Sequence, residues 1–133
     1  MTELLDTYPL YWKNKIGGVI MIVETELGTV TIKPEVFNEI VYRAALESYG
    51  TVDIGKGGFL NRLTSMLQKP QEKGVEVIEE NNRVTINLYI YMEYGLPLKR
   101  VAANAQENVY HRIKEALGDV DVVVNVKVVG IKS

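Results

Sequence analysis

The sequence predicts an α+β fold, a single domain in which a mixed β-sheet carries two main helices packed largely on one face. Three observations predict it. Residues 84–92, 98–117 and 122–131 read in turn as strand, helix and strand, forming a C-terminal β-hairpin–helix–strand unit with the strand before it. A second, shorter helical period opens at Pro34. Hairpin patterns at residues 19–32 and 75–92 add antiparallel strands. A strand, a returning helix and another strand in the first direction make two strands parallel, with a right-handed crossover. Hairpins on the same sheet make it mixed, with its helices on one side.

In order along the chain, residues 1–16 show no sustained period and read as an N-terminal tail, with the domain at 17–133. Tyr8, Tyr11 and Trp12 gather in that tail. Residues 19–24 are rich in Val and Ile, Glu26-Leu27-Gly28 turns, and Thr29 to Ile32 alternates, which is a hairpin signature. Pro34 suits the first position of a helix because its φ is already set. Val36, Phe37, Ile40, Val41, Ala44 and Ala45 recur at helical spacing on one face, and Gly50 provides a stop. A short helix is expected at residues 59–68, ended by Pro70. Asn81-Asn82 tolerates the left-handed φ of a two-residue hairpin turn. That turn sets Val77 against Ile86 and Val75 against Leu88, and leaves Thr85, Asn87, Tyr89 and Tyr91 on the opposite face. The long helix carries an apolar stripe of Leu98, Val101, Ala102, Ala105, Val109, Ile113, Ala116 and Leu117. The last strand alternates Val122, Val124, Val126 and Val128 with Asn125 and Lys127.

Composition narrows the function. The 133 residues are 47% hydrophobic and 24% charged, enough to bury a core without metal or disulfide. There are no cysteines, which removes disulfides, thiolate nucleophiles and cysteine-bound zinc, and fits a reducing cytoplasm. A net charge of −2 supplies no global attraction to nucleic acid or anionic lipid. No apolar run of about 18 residues is present to span a bilayer, and the N-terminus lacks the pattern of a signal peptide. The expectation is a soluble cytoplasmic protein.

Residues suited to catalysis are sparse. His111, the only histidine, lies on the long helix, where its helical neighbours give no acid–base or nucleophile pairing of the usual kind. No group of His, Asp and Glu has metal-ligand spacing, so no cofactor or metal is expected. Glu79-Glu80, Asp119 and Asp121 sit beside turns, where carboxylates serve local hydrogen bonding. The densest glycine segment holds Gly55, Lys56, Gly57 and Gly58. Its Gly-x-x-Gly could clamp a nucleic-acid backbone as K-homology domains do, on backbone N–H groups at a helix start. The segment is not a P-loop, and the acidic balance of the chain argues against phosphate binding. Positive φ in a tight turn accounts for the glycines as well. Tyr89 and Tyr91 would serve as contact residues if their sheet face is open, unless the N-terminal aromatics cover it.

Several separated motifs resemble the alkaline shock protein family: Glu26-Leu-Gly-Thr-Val-Thr-Ile32, Pro34-Glu-Val36, Met92-Glu-Tyr-Gly95, Ala105-Gln-Glu-Asn-Val109 and Val124-Asn-Val-Lys-Val-Val-Gly-Ile131. The likeness covers about residues 18–131 and departs where Leu117-Gly118-Asp119 replaces the usual Thr-Gly after the long helix. It implies a non-enzymatic protein of cell-envelope homeostasis and stress response, with no catalytic residue to carry over. It also implies contact with a protein partner, including a membrane-anchor protein, or assembly into a homo-oligomer, and so membrane association only through a partner. The candidate interface residues are Trp12, Tyr89 and Tyr91. The alternative is nucleic-acid binding through Gly55 to Gly58.

Overall fold

Strand alternation and turn chemistry build most of the molecule. The computed structural model describes residues 10–15, 18–55, 74–118 and 120–132. In chain order the elements are β1 (Leu10–Lys15), β2 (Gly18–Thr25), β3 (Gly28–Ile32), α1 (Pro34–Leu46), β4 (Thr51–Ile54), β5 (Val75–Glu80), β6 (Arg83–Glu93), α2 (Leu98–Leu117) and β7 (Asp121–Lys132). They form the expected mixed α+β domain with two main helices and the C-terminal hairpin–helix–strand unit. The helix expected at residues 59–68 lies outside the described residues.

The strands divide between two sheets. β1, β2 and β3 form a three-stranded antiparallel sheet. Leu10 to Lys15, which carry no period of their own, are held as a strand by their pairing with β2. The second sheet is organised around β6. β7 runs parallel to β6 along its whole length, from Arg83↔Asp121 to Glu93↔Lys132. A strand has only two edges, so β5 and β4 share the other one, β5 beside residues 83–88 and β4 beside 90–92. Between them, the Gly55 N–H donates to the Tyr89 carbonyl and the Tyr89 N–H donates to the Gly74 carbonyl, both at 2.9 Å. Gly55 and Gly74 thus both bond to a single residue of β6. Only a glycine fits at 74, because φ is +87° and a Cβ would lie 2.6 Å from Ile54 Cγ2.

The β5–β6 hairpin turns as its residues dictate. Asn81 and Asn82 take φ of 54° and 62°, and the Glu79 carboxylate accepts the Asn82 N–H at 3.1 Å. The register that follows sets Val77 opposite Ile86 and Val75 opposite Leu88.

Period-2 alternation then sorts β6. Val84, Ile86, Leu88, Ile90 and Met92 face the helices and are almost wholly buried. Each such side chain contributes roughly 1.5–3 kcal/mol through removal from water. Val41, Ala44 and Ala45 of α1 and Val101, Ala105, Val109 and Ile113 of α2 close over them. Leu98 and Ala116 of the sequence-derived stripe are exposed, whereas Leu117 packs against both core clusters. The α1–α2 contact is pinned by Asn108, whose side-chain amide donates to the Ala44 carbonyl at 2.7 Å and to Ser48 Oγ at 3.2 Å. A second cluster, Met21, Val23 and Phe37 with Val77 and Leu117 beside them, joins the first sheet to the second.

Candidate interaction surface

The face of β6 turned away from the helices carries Thr85, Asn87, Tyr89 and Tyr91, because these alternate with the buried set. Parallel pairing brings Asn125 beside Asn87 and Lys127 beside Tyr89. The Asn125 amide donates to Asn87 Oδ1 at 3.0 Å, and the Asn87 amide donates to Glu76 Oε1 at 2.9 Å. Three strands are thus tied by one directional relay ending on a carboxylate. On one side of it Arg83 meets Asp121 at 2.8 Å. On the other, Lys127 Nζ stands 5.4 Å from the centroid of the Tyr89 ring. Lys132 Nζ stands 4.7 Å from the Tyr91 ring and 3.0 Å from Asp53 Oδ2. These are cation–π contacts, favourable through the negative ring face.

A local irregularity positions Tyr91. The β6–β7 register runs Ile90↔Val128 and then Tyr91↔Gly130, so Val129 is a bulged extra residue. The bulge aligns Gly130 with Tyr91, and a Cβ at 130 would run into the edge of that ring. The tyrosine lies in the space a side chain would have taken.

The far edge of β7 pairs with no strand among the described residues. One of its acceptors is covered from α2: the Gln106 side-chain amide donates to the Val124 carbonyl at 2.8 Å. Val128, Val129 and Ile131 stay substantially exposed further along the strand. Open hollows lie among the described residues. One, of about 450 Å³, is polar and lined by Glu80, Asn81, Arg83, Thr85 and Asp121. Another, of about 580 Å³, lies along α1 by Val36, Ile40 and Arg43. Among the described residues no three His, Cys, Asp or Glu groups are placed to hold a metal ion, and no helix is long and apolar enough to cross a membrane.

Residues 22–133, which take in β6, α2 and β7 entire, match the alkaline shock protein 23 family, described as having a cell envelope-related function. The chain belongs to that family. It is 30% identical over 112 residues to the uncharacterized protein YloU of Bacillus subtilis, which covers 83% of this chain and 93% of that one. It is 31% identical over 110 residues to YqhY of the same organism, 82% of this chain and 81% of that one. Spy1614 of Streptococcus pyogenes is 30% identical over 112 residues, again 83% and 93%. No solved structure matches the chain. The family is the one that the sequence motifs resemble, and membership makes this a non-catalytic stress-response protein.

Within this alkaline-shock domain the candidate residues fall apart from one another. Tyr89 and Tyr91 share the outer face as expected, but Tyr89 is only 7% exposed and Tyr91 is half-buried. Trp12 stands in β1 opposite Met21, in the other sheet, and its side chain lies outside the described residues. Gly55 takes φ +71° and spends its N–H on Tyr89, so that donor is not free for a phosphate. Lys56, Gly57 and Gly58 lie outside the described residues. His111 is exposed and edge-on to Tyr110, with ring centroids 5.5 Å apart. No sequence signal singles out Gln106, Lys132 or Gly130. Their roles depend on the register between β6, β7 and α2, and no local pattern announces it.

Proposed function

We propose that this alkaline-shock-family protein acts in the cytoplasm at the cell envelope by binding other chains, either a membrane-anchored protein partner or further copies of itself. One observation carries the reading: β7 is 12 residues long, rich in Val, and its outer edge is unpaired among the described residues. Such an edge offers a row of main-chain donors and acceptors to an added strand. The adjoining outer face suits a protein better than a nucleic acid. Glu76, Asp53 and Asp121 interleave with Arg83, Lys127 and Lys132, whereas phosphate binding calls for one sign of charge.

The test is Val126→Pro. Val126 has the same parity as Val124, whose carbonyl meets Gln106 off the ladder, so its N–H points to the open edge. Proline there removes an edge donor without touching the β6 ladder, the one place a strand tolerates it. The folded variant, checked by circular dichroism, is expected to lose the adducts that chemical cross-linking in cells gives with the parent chain. Adducts that persist unchanged, or a parent chain that gives none, would contradict the proposal.

A further inference from the structure

We infer that the open edge of β7 takes up β7 of a second copy of this chain, antiparallel and centred on Val124. The inference rests on the interaction reading above and names the partner of that surface.

Parity restricts the register first. Val122 and Val124 are buried beneath α2, while Asp121, Val123, Asn125 and Lys127 lie on the outer face. An antiparallel neighbour must set outer residues beside outer residues, because a shift of one turns every side chain to the wrong side. Only alternate registers survive. Charge then chooses among them. Within the strand before the bulge, Asp121 is the one acid and Lys127 the one base. Centring on Val124 sets Asp121 of each copy directly opposite Lys127 of the other. It also sets Val122 opposite Val126 and Val123 opposite Asn125. Centring one step later, on Asn125, sets Lys127 against Val123 and loses both charge pairs. Centring on Lys127 stacks like charges. Opposite charges and β-branched pairs across strands each favour pairing, and like charges oppose it.

The hydrogen-bond phase agrees. The Val124 carbonyl already meets a donor that is not in β6, the Gln106 amide at 2.8 Å, so it points to the open edge. Residues of the same parity, Val122 and Val126, point there too. Val124 therefore meets its own copy as a hydrogen-bonded pair, and Val122 meets Val126 likewise. The incoming strand takes the place of the Gln106 amide, which acts as a removable cover over the edge.

The chain contains no cysteine, so single introduced thiols report without background. Val123 and Asn125 form a non-hydrogen-bonded pair in this register, with Cα atoms about 4.5 Å apart, within reach of a disulfide. Two full-length variants, Val123→Cys and Asn125→Cys, are oxidised alone and mixed. The mixture is expected to give a disulfide-linked heterodimer in clear excess over either homodimer. Charge reversal supplies a second reading by light scattering. Lys127→Asp alone and Asp121→Lys alone each set two like pairs across the edge and are expected to be monomeric. Mixed, they set two opposite pairs and are expected to associate.

Three results would overturn the inference: a parent chain monomeric at every concentration, preferential Asn125→Cys homodimers, or charge variants that do not rescue each other. None of these touches the cellular adducts and their loss in Val126→Pro, so a failed second-copy inference is told apart from a failed interaction reading.

Discussion

The two faces of β6 share one backbone and differ in everything that holds them. The inner face is five apolar side chains in a continuous core, Val84 to Met92 by twos. The outer face is a relay of amides, two tyrosines under lysines, and ion pairs open to solvent. Burial dominates the inner face, and its contribution scales with area removed from water. Geometry dominates the outer face, where each contact is small on its own. The inner face fixes that the chain folds, and the outer face with the β7 edge is where the proposed contacts fall.

That difference can be broken from either side. Leu88→Ala leaves a cavity at a fully buried site and is expected to cost about 2–5 kcal/mol, read as a lower urea midpoint with an unchanged slope. Loss below about 1 kcal/mol would mean that the two faces do not differ as described. Gly130→Ala drives a methyl into the Tyr91 ring, and the ring or the bulge must move. A loss of about 1–3 kcal/mol is expected, as for overpacking elsewhere. Replacing Tyr91 by Ala in the same chain should recover part of it. Lys132→Ala removes a half-exposed pair with Asp53 and the contact over Tyr91. Solvent screens such pairs, so less than about 1 kcal/mol is expected, falling further in high salt. A large, salt-independent loss would place Lys132 in the core rather than on the outer face.

The inner face was legible in the sequence because its causes are local. Alternation in residues 84–92 names the buried set, and the two asparagines at 81 and 82 fix the turn and so the pairing of Val77 with Ile86. α1 begins at Pro34 as its fixed φ requires. It ends at Leu46, before the glycine at 50, since Ser48 Oγ bonds back to the Ala44 carbonyl and closes the last turn. The outer face was legible in its membership but not in its contacts: alternation puts Thr85, Asn87, Tyr89 and Tyr91 on it. Asn125 and Lys127 could be placed on it, but their partners Asn87 and Tyr89 lie 38 residues earlier in the chain and meet them through register alone. The burial of Tyr89, the alignment of Gly130 with Tyr91 across the bulge, and the Gln106 cover on Val124 are likewise non-local. β1 escaped for a related reason: its order comes from β2 rather than from its own pattern.

Amide hydrogen exchange along β7 tests most directly the claim that the edge is the working surface. In dilute solution the edge-facing amides of Val122, Val124 and Val126 should exchange much faster than the β6-facing amides of Val123 and Asn125. Raising the protein concentration, or adding the partner captured in cells, should protect the edge set and leave the other set unchanged. Edge amides that stay equally exposed while a complex forms would contradict the account, because binding would then be taking place elsewhere on the molecule.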